Sequence, residues 1–211
     1  LPRAISYPKN RILCLAVGQI PEESLQLLKK DGFSIRYKTS FEEKYVADVG
    51  MLLLGKGERI ADEKLKRAVK LKTIGYLGAS KLALTESICA KMGIVLFDDA
   101  KENPRNSRFI PQRMADFINK GDSYLSSNFP NLQLPKIAQA HRLIHIHHNV
   151  PGIMAQINQV FAEHQINILG QFLMTNPQIG YAITDVSAEY DKDVLKKLKQ
   201  IEHTIKFRIL Y

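Results

Sequence analysis

The 211-residue sequence contains no apolar run that approaches the roughly 20 residues needed by a membrane-spanning helix. Its first four residues, LPRA, lack the apolar segment of a secretory signal. The two cysteines, Cys14 and Cys89, form no spaced pair. From these absences we expect a cytoplasmic protein whose thiols are reduced.

Acidic residues are fewer than basic ones, and the formal net charge is +9, divided almost evenly between residues 1–100 and 101–211. The densest basic segment, residues 56–72, lacks the aromatic residues that usually accompany basic ones in nucleic-acid sites. A solvated helix face is the favoured interpretation, with attraction to anionic metabolites or phosphate as the alternative. Nucleic-acid binding would rest on the charge alone.

A complete dinucleotide fingerprint is also missing. "GKGERI" (55–60) follows a predicted strand but lacks the third glycine of G-x-G-x-x-G, and "GYLGAS" (75–80) is no better. The sequence therefore predicts no cofactor site in this chain.

The first hundred residues alternate short apolar runs with amphipathic stretches. This alternation predicts a parallel, doubly wound α/β sheet of the flavodoxin-like kind. The predicted strands are residues 11–17, 33–38, 49–55, 73–78 and 94–97, and the helices between them are residues 21–32, 61–71 and 83–93. A polar break at 98–110 precedes a further helix at 111–121, which completes a first domain over residues 1–121.

Residues 122–140 contain two prolines and little periodicity, which predicts a linker. The last segment, residues 141–211, has the order βαββαβ of a ferredoxin-like α+β domain. Its predicted strands are residues 142–148, 166–175, 179–189 and 204–211, with helices at 150–165 and 191–201.

The stretch "HRLIHIHHNVPGIM" (141–154) places four histidines in eight positions. On a strand, His141, His145 and His147 share one face, and His148 points to the other. Same-face Cβ atoms stand roughly 7 Å apart, too far to converge on a metal unless the strand bends or another element helps. No Cys or acidic residue has the spacing of a fourth ligand, and no carboxylate partner for a general base can be named. We therefore predict neither a metal site nor a catalytic residue.

The turn after this strand, "NVPG", leads directly into a helix. Asn149 is a good helix cap, and Pro151 and Gly152 suit the entry to the helix. Backbone N–H groups at a helix start attract carboxylates. A histidine and an asparagine beside the turn would complete a pocket for an amino acid.

Three stretches carry a family resemblance: "HRLIHIHHNVPGIMAQINQVFAEHQINI", "GYAITDV" and "KFRILY". They resemble the C-terminal regulatory ACT domain of the D-3-phosphoglycerate dehydrogenase family. The resemblance implies that two ACT domains pair side by side and that the feedback inhibitor L-serine binds across their interface. The family's serine-binding positions fall on His147, Asn149 and Asn167. Where the family often has glycine, this chain has Gln165, so we expect an altered helix-to-strand turn.

The resemblance extends upstream through residues 117–135 and, more weakly, 11–97, which are similar to the start of the family's substrate-binding domain. The family inserts a nucleotide-binding domain between these pieces, with its NAD fingerprint and catalytic arginine, glutamate and histidine, and residues 98–113 stand at that place. Its substrate-binding Arg-Ser-Arg-like loop corresponds here to residues 55–59. Lys56 and Arg59 could still bind a phosphate there; the alternative is a plain polar loop before a helix.

Two functions follow from the resemblance. The first is a regulatory module that lacks the NAD domain, binds L-serine or a similar amino acid, and forms a homodimer or tetramer through its ACT domain. Such a module could also bind a full-length dehydrogenase subunit. The second is a serine-inhibited D-3-phosphoglycerate dehydrogenase whose catalytic NAD domain is missing from this sequence. The contiguous sequence and the altered substrate loop favour the first, and neither function needs a membrane or a nucleic acid.

Overall fold

The computed structural model describes residues 12–78, 83–98, 107–135, 137, 140–187 and 190–210. They divide into two compact units, and the division falls between Asn131 and Leu132. Each unit is described by itself.

The N-terminal unit is built on a five-stranded parallel sheet, which confirms the predicted α/β class. The strand order is β2-β1-β3-β4-β5, as in flavodoxin-like folds. All four residues of β3, β4 and β5 are buried, as expected for strands covered on both faces. The strands are β1 (Leu13–Val17), β2 (Ser34–Lys38), β3 (Met51–Leu54), β4 (Thr73–Tyr76) and β5 (Val95–Asp98).

Within the described residues, four α-helices accompany these strands: α1 (Glu22–Lys30), α2 (Asp62–Lys66), α3 (Ala83–Lys91) and α4 (Phe109–Lys120), and a 3-10 helix spans Glu43–Tyr45. Helix α2 is shorter than the predicted 61–71. After it, the chain continues in turns, with Ala68 N–H bonded to the Leu65 carbonyl and Leu71 N–H to the Ala68 carbonyl. Because these residues are spaced by three, the side chains of Leu65, Ala68 and Leu71 are all buried. The hydrophobic pattern that predicted a helix is therefore also satisfied by these turns. No helix within the described ranges is long and apolar enough to cross a membrane.

The predicted linker 122–140 is divided in the structure. Its first part, up to Asn131, belongs to the N-terminal unit. The Asn128 side chain accepts from Leu96 N–H and donates to the Ile94 carbonyl, both at 2.9 Å, and Ser127 N–H bonds the Leu96 carbonyl at 2.8 Å. These bonds occupy the outer edge of β5 much as another strand would.

The C-terminal unit has the predicted order βαββαβ. Its four strands form one antiparallel sheet in the order β7-β8-β6-β9, which confirms the ferredoxin-like fold. The elements are β6 (His141–His148), α5 (Ile153–Glu163), β7 (Ile168–Thr175), β8 (Ile179–Val186), α6 (Lys192–Gln200) and β9 (Thr204–Ile209).

The two helices supply the core of this unit against one face of the sheet. The core residues include Leu143 and Val186 from the sheet, Ile153, Ile157 and Phe161 from α5, and Val194 and Leu198 from α6. Strand β7 lies at the edge of the sheet and is exposed along most of its length. Its large exposed apolar side chains are Leu169, Phe172, Leu173 and Met174.

A buried ion pair joins β6 to β8. Arg142 Nε and Nη2 donate to the two carboxylate oxygens of Asp185 at 2.8 and 2.7 Å, and both side chains are at most 2% exposed. Arg142 Nη2 also donates to the Pro135 carbonyl at 2.7 Å, which ties the segment before β6 to the sheet. The bidentate ion pair and the third hydrogen bond compensate much of the cost of burying the Arg142 charge.

We expect Asp185→Ala to destabilise the C-terminal unit by about 3–5 kcal/mol, because it leaves the buried guanidinium without its counter-charge. The double variant Arg142→Met/Asp185→Leu is expected to lose less stability than Asp185→Ala, since no unpaired charge remains. Urea unfolding followed by circular dichroism measures both. If the unfolding free energy of Asp185→Ala lies within about 1 kcal/mol of that of the parent protein, the assignment of a buried ion pair is contradicted.

Candidate functional site

A cavity of about 620 Å³ lies where β6 ends and α5 begins. Its wall comes mainly from the turn between these two elements together with the first turn of α5, and one side chain comes from the edge strand β7. The lining residues are His147, Asn149, Val150, Pro151, Gly152, Ile153, Met154, Ala155 and Leu173. The cavity therefore contains the strand–turn–helix junction at which the sequence predicts an amino-acid pocket.

Asn149 does not cap helix α5, contrary to the prediction. Its Nδ2 donates to the Asn176 carbonyl at 2.8 Å, and its backbone N–H bonds the Gln178 carbonyl at 3.0 Å, so it joins the turn to the β7–β8 hairpin. The N-cap is Gly152, whose φ of 88° is left-handed and which has no side chain to offer. The first turn of α5, which carries the positive end of the helix dipole, therefore begins at the cavity wall without a side-chain cap.

The His147 imidazole is buried in the cavity wall, with 2% of the residue exposed. Its Nδ1 lies 2.8 Å from the His148 carbonyl, and a carbonyl only accepts, so Nδ1 carries the proton. Nε2 then holds the lone pair, and it has no hydrogen-bond partner among the residues that the structure describes. Burial lowers the pKa of His147, so the ring is neutral at pH 7.

His145 lies beside His147, with 5.5 Å between the ring centroids, and is also buried. Its Nε2 lies 2.9 Å from the Thr204 hydroxyl, which donates its own hydrogen to the Ile201 carbonyl. The hydroxyl must therefore accept from His145, and Nε2 carries the proton. Burial, with a smaller contribution from His147, lowers the pKa of His145 to about 4.

The other two histidines of β6 lie nearer the solvent. His141 is half-buried, and its Nδ1 lies 2.9 Å from the Tyr190 hydroxyl; His148 is exposed. In the described ranges of the chain, no group of three or more His, Cys, Asp or Glu side chains could hold a metal ion.

Asn167 lies at the opposite end of the sheet from His147 and Asn149. His147 and Thr175 flank Gly180 on β8, whereas Ile168, the residue after Asn167, pairs with Val186. Six residues of strand separate these positions, which corresponds to about 20 Å. One chain therefore brings together His147 and Asn149 but does not bring Asn167 to them.

The turn before Asn167 keeps the geometry of a glycine turn. Gln165 has a left-handed φ of 54°. Its N–H bonds the Ala162 carbonyl at 3.1 Å, and Ile166 N–H bonds the Phe161 carbonyl at 2.9 Å, the two bonds of a Schellman motif. Glutamine thus occupies a conformation that favours glycine, and the C-cap hydrogen bonds of α5 are retained.

Lys56 and Arg59 lie on the loop between β3 and α2, and both are exposed. Glu58, between them, packs so closely on Gly18 that a Cβ there would lie 2.5 Å from its Cγ. The loop follows the carboxyl end of β3, where open α/β sheets bind ligands. Anion binding by Lys56 and Arg59 stays a prediction.

Two residues of the site were missed in the sequence. Leu173 enters the cavity wall from β7, and nothing in its local sequence indicates this. Gly180 lies opposite His147 on β8. A glycine inside a strand often marks a close approach of another group, so this signal was available.

Comparison with known proteins identifies the C-terminal unit. Residues 143–206 match the family model described as "AHAS small subunit-like ACT domain". The C-terminal unit is an ACT domain. The C-terminal part of the chain is also 41% identical over 99 residues to D-3-phosphoglycerate dehydrogenase of Haemophilus influenzae, covering 47% of this chain and 24% of that protein.

The D-3-phosphoglycerate dehydrogenase of Dictyostelium discoideum is 42% identical over 98 residues, which cover 46% of this chain and 24% of that protein. The chain thus spans about a quarter of the length of these curated relatives. The solved NAD⁺-bound 3-phosphoglycerate dehydrogenase of Entamoeba histolytica is 17% identical with a TM-score of 0.36, over 41% of this chain and 32% of that chain.

The buried His145 predicts acid sensitivity of the ACT domain. The pKa of His145 is about 4 in the folded protein, compared with 6.5 for an ordinary histidine in the unfolded chain. Between pH 4 and pH 6.5 the unfolded chain therefore binds more protons than the folded protein. The contribution of His145 to the free energy of unfolding is fully present above pH 6.5 and is lost as the pH falls towards 4. The total loss is about 3 kcal/mol.

Urea unfolding at pH 7, 5.5 and 4.5 measures this effect. The difference in unfolding free energy between the parent protein and His145→Gln should shrink as the pH falls. Replacing the exposed His148 with Gln is the matched control and should leave the profile unchanged. Parallel profiles for the parent protein and His145→Gln would contradict the prediction.

Proposed function

We propose that this protein is an amino-acid-binding regulatory module of L-serine biosynthesis and that its effector is L-serine. The observation that carries the proposal is the cavity at the uncapped start of α5, lined by His147 and Asn149, in an ACT domain similar to that of D-3-phosphoglycerate dehydrogenases. The module needs no metal and no cofactor of its own.

The cavity offers complementary groups for a small amino acid. The N–H groups of the first turn of α5, at Ile153 to Ala155, suit a carboxylate. Asn149 uses its Nδ2 within the protein, which leaves its Oδ1 as an acceptor for an ammonium or hydroxyl group. Leu173 closes one side with apolar surface and favours a short side chain.

A second copy of the chain supplies Asn167 in this proposal. The distance of about 20 Å along the sheet is too long for one serine to contact both Asn149 and Asn167 of one chain. Pairing of two β7 edges about a two-fold axis places the Ile168 end of one strand beside the Thr175 end of the other. The partner's asparagine is thereby brought towards the cavity.

The edge strand β7 has the character that such pairing requires. It is eight residues long and exposes four large apolar side chains, whereas edge strands that remain unpaired are usually short or charged. Pairing would remove this surface from water and extend the sheet across both copies.

A second candidate follows from the length of the relatives. The chain spans about a quarter of each curated dehydrogenase, so the parent polypeptide would be a serine-inhibited, NAD-dependent D-3-phosphoglycerate dehydrogenase with a further domain. We expect the 211-residue chain alone to show no nicotinamide-dependent turnover of 3-phosphoglycerate, followed by absorbance at 340 nm. Turnover by this chain would contradict the regulatory-module proposal.

Complementation between two defective variants tests the shared site. Asn149→Ala and Asn167→Ala are each expected to weaken L-serine binding roughly tenfold or more in calorimetric titration, with the oligomer intact. Co-refolding the two variants in equal amounts should restore about one quarter of the sites at full affinity, because only mixed dimers contain an intact pair.

Phe172→Lys, which places a charge on the β7 edge, is the control for assembly. It is expected to yield monomers in sedimentation and to abolish complementation, whereas Val69→Lys, at an exposed position of the other unit, should change neither. If the mixture of asparagine variants binds no better than either alone while the oligomer persists, the site does not span two chains.

A further inference from the structure

Gly180 is the point of closest approach between strand β8 and the candidate site. It pairs with His147 across the sheet and lies within a strand whose residues are all buried. A Cβ built at Gly180 would overlap Cε1 of the His147 ring, and it would lie 2.5 Å from Nε2 and 2.7 Å from Nδ1. Real Cβ atoms essentially never come within 3.0 Å of another atom, so only glycine allows the ring to lie where it does.

We propose that Gly180 is a positioning residue for effector recognition, which acts by letting the His147 ring lie against the backbone of β8. The inference rests on the proposed function and deepens it. Gly180 has no side chain with which to touch the ligand; its role is to set the depth and orientation of a ring that lines the cavity.

The position of the ring determines its tautomer. At this depth Nδ1 reaches the His148 carbonyl at 2.8 Å, which holds the proton on Nδ1. Nε2 therefore keeps its lone pair, and it is buried beside Gly180 with no hydrogen-bond partner among the described residues. A ring that lost the bond to His148 would be free to change its tautomer.

Any side chain at position 180 would push the ring into the cavity. β8 lies on one side of the ring, and the His145 ring stands 5.5 Å away along the same face of β6. β9 flanks His147 on the side opposite to β8, and the cavity that His147 lines offers space into which the ring can move. Gly180→Ala should therefore both break the bond to the His148 carbonyl and reduce the space for the ligand.

Gly50 offers a matched control in the other unit, away from the candidate site. It lies immediately before β3. A Cβ there would lie 3.0 Å from Cγ2 of Ile12 and 3.6 Å from Nζ of Lys72, so the ends of side chains can move aside. Gly50→Ala makes the same chemical change without touching His147 or β7.

The test is a double-mutant cycle on the full chain, with L-serine binding measured by calorimetry. We expect Gly180→Ala to weaken binding about tenfold or more and Gly50→Ala to change it less than about twofold. In a His147→Ala background, Gly180→Ala should weaken binding no further, because the ring through which it acts is gone.

Imidazole ¹H–¹⁵N spectra supply a readout that a merely structural role would not move. In the parent protein His147 should be the Nδ1–H tautomer, and Gly180→Ala should shift it towards Nε2–H. Wild-type-like serine binding or an unchanged tautomer in Gly180→Ala would overturn the inference. If the parent protein binds no serine, the proposed function fails, and the tautomer still decides the inference about Gly180.

Loss of folding in Gly180→Ala is also informative. The double variant His147→Ala/Gly180→Ala restores the space and should fold with a melting temperature close to that of His147→Ala. A double variant that remains unfolded would overturn the inference, because glycine would then be needed for a reason other than the ring.

Discussion

Burial of strand β6 on both faces is the constraint on which the ACT domain depends. The strand lies between β8 and β9, so it has no free edge, and residues 142–147 are all buried. Imidazoles in such a strand must be neutral, because burying an isolated charge is costly. His145 and His147 meet this condition by donating to the Thr204 hydroxyl and the His148 carbonyl. The two buried imidazoles of the histidine-rich strand are thus neutral, and the second of them reaches a cavity wall.

The candidate site begins where this burial ends. After His148 the chain leaves the sheet, and the left-handed Gly152 starts α5 with no side-chain cap. The first turn of α5 thereby keeps a cluster of N–H groups that no side chain caps and that a ligand could bind. Asn149 is held by the β7–β8 hairpin, so the hairpin, the turn and the helix jointly shape the cavity.

Much of the fold and part of the site could be predicted from local sequence. The alternation of apolar and polar residues located the strands of both sheets, and the junction after β6 indicated the pocket that contains His147 and Asn149. The length of α2 could not be predicted, because three-residue turns and a helix bury similarly spaced side chains. Asn128 was assigned to a linker because an amide that occupies the edge of β5 has no periodic pattern.

The sequence by itself determined which segments became strands and helices, and the order βαββαβ, since these depend on neighbours a few residues apart. It also determined that His145 and His147 share one face of β6. Only the tertiary structure decided that Asn167 lies about 20 Å from Asn149 and that Gly180 lies beneath the His147 ring. The pairing register of strands distant along the chain sets both relations, and the packing of the whole sheet decides that register.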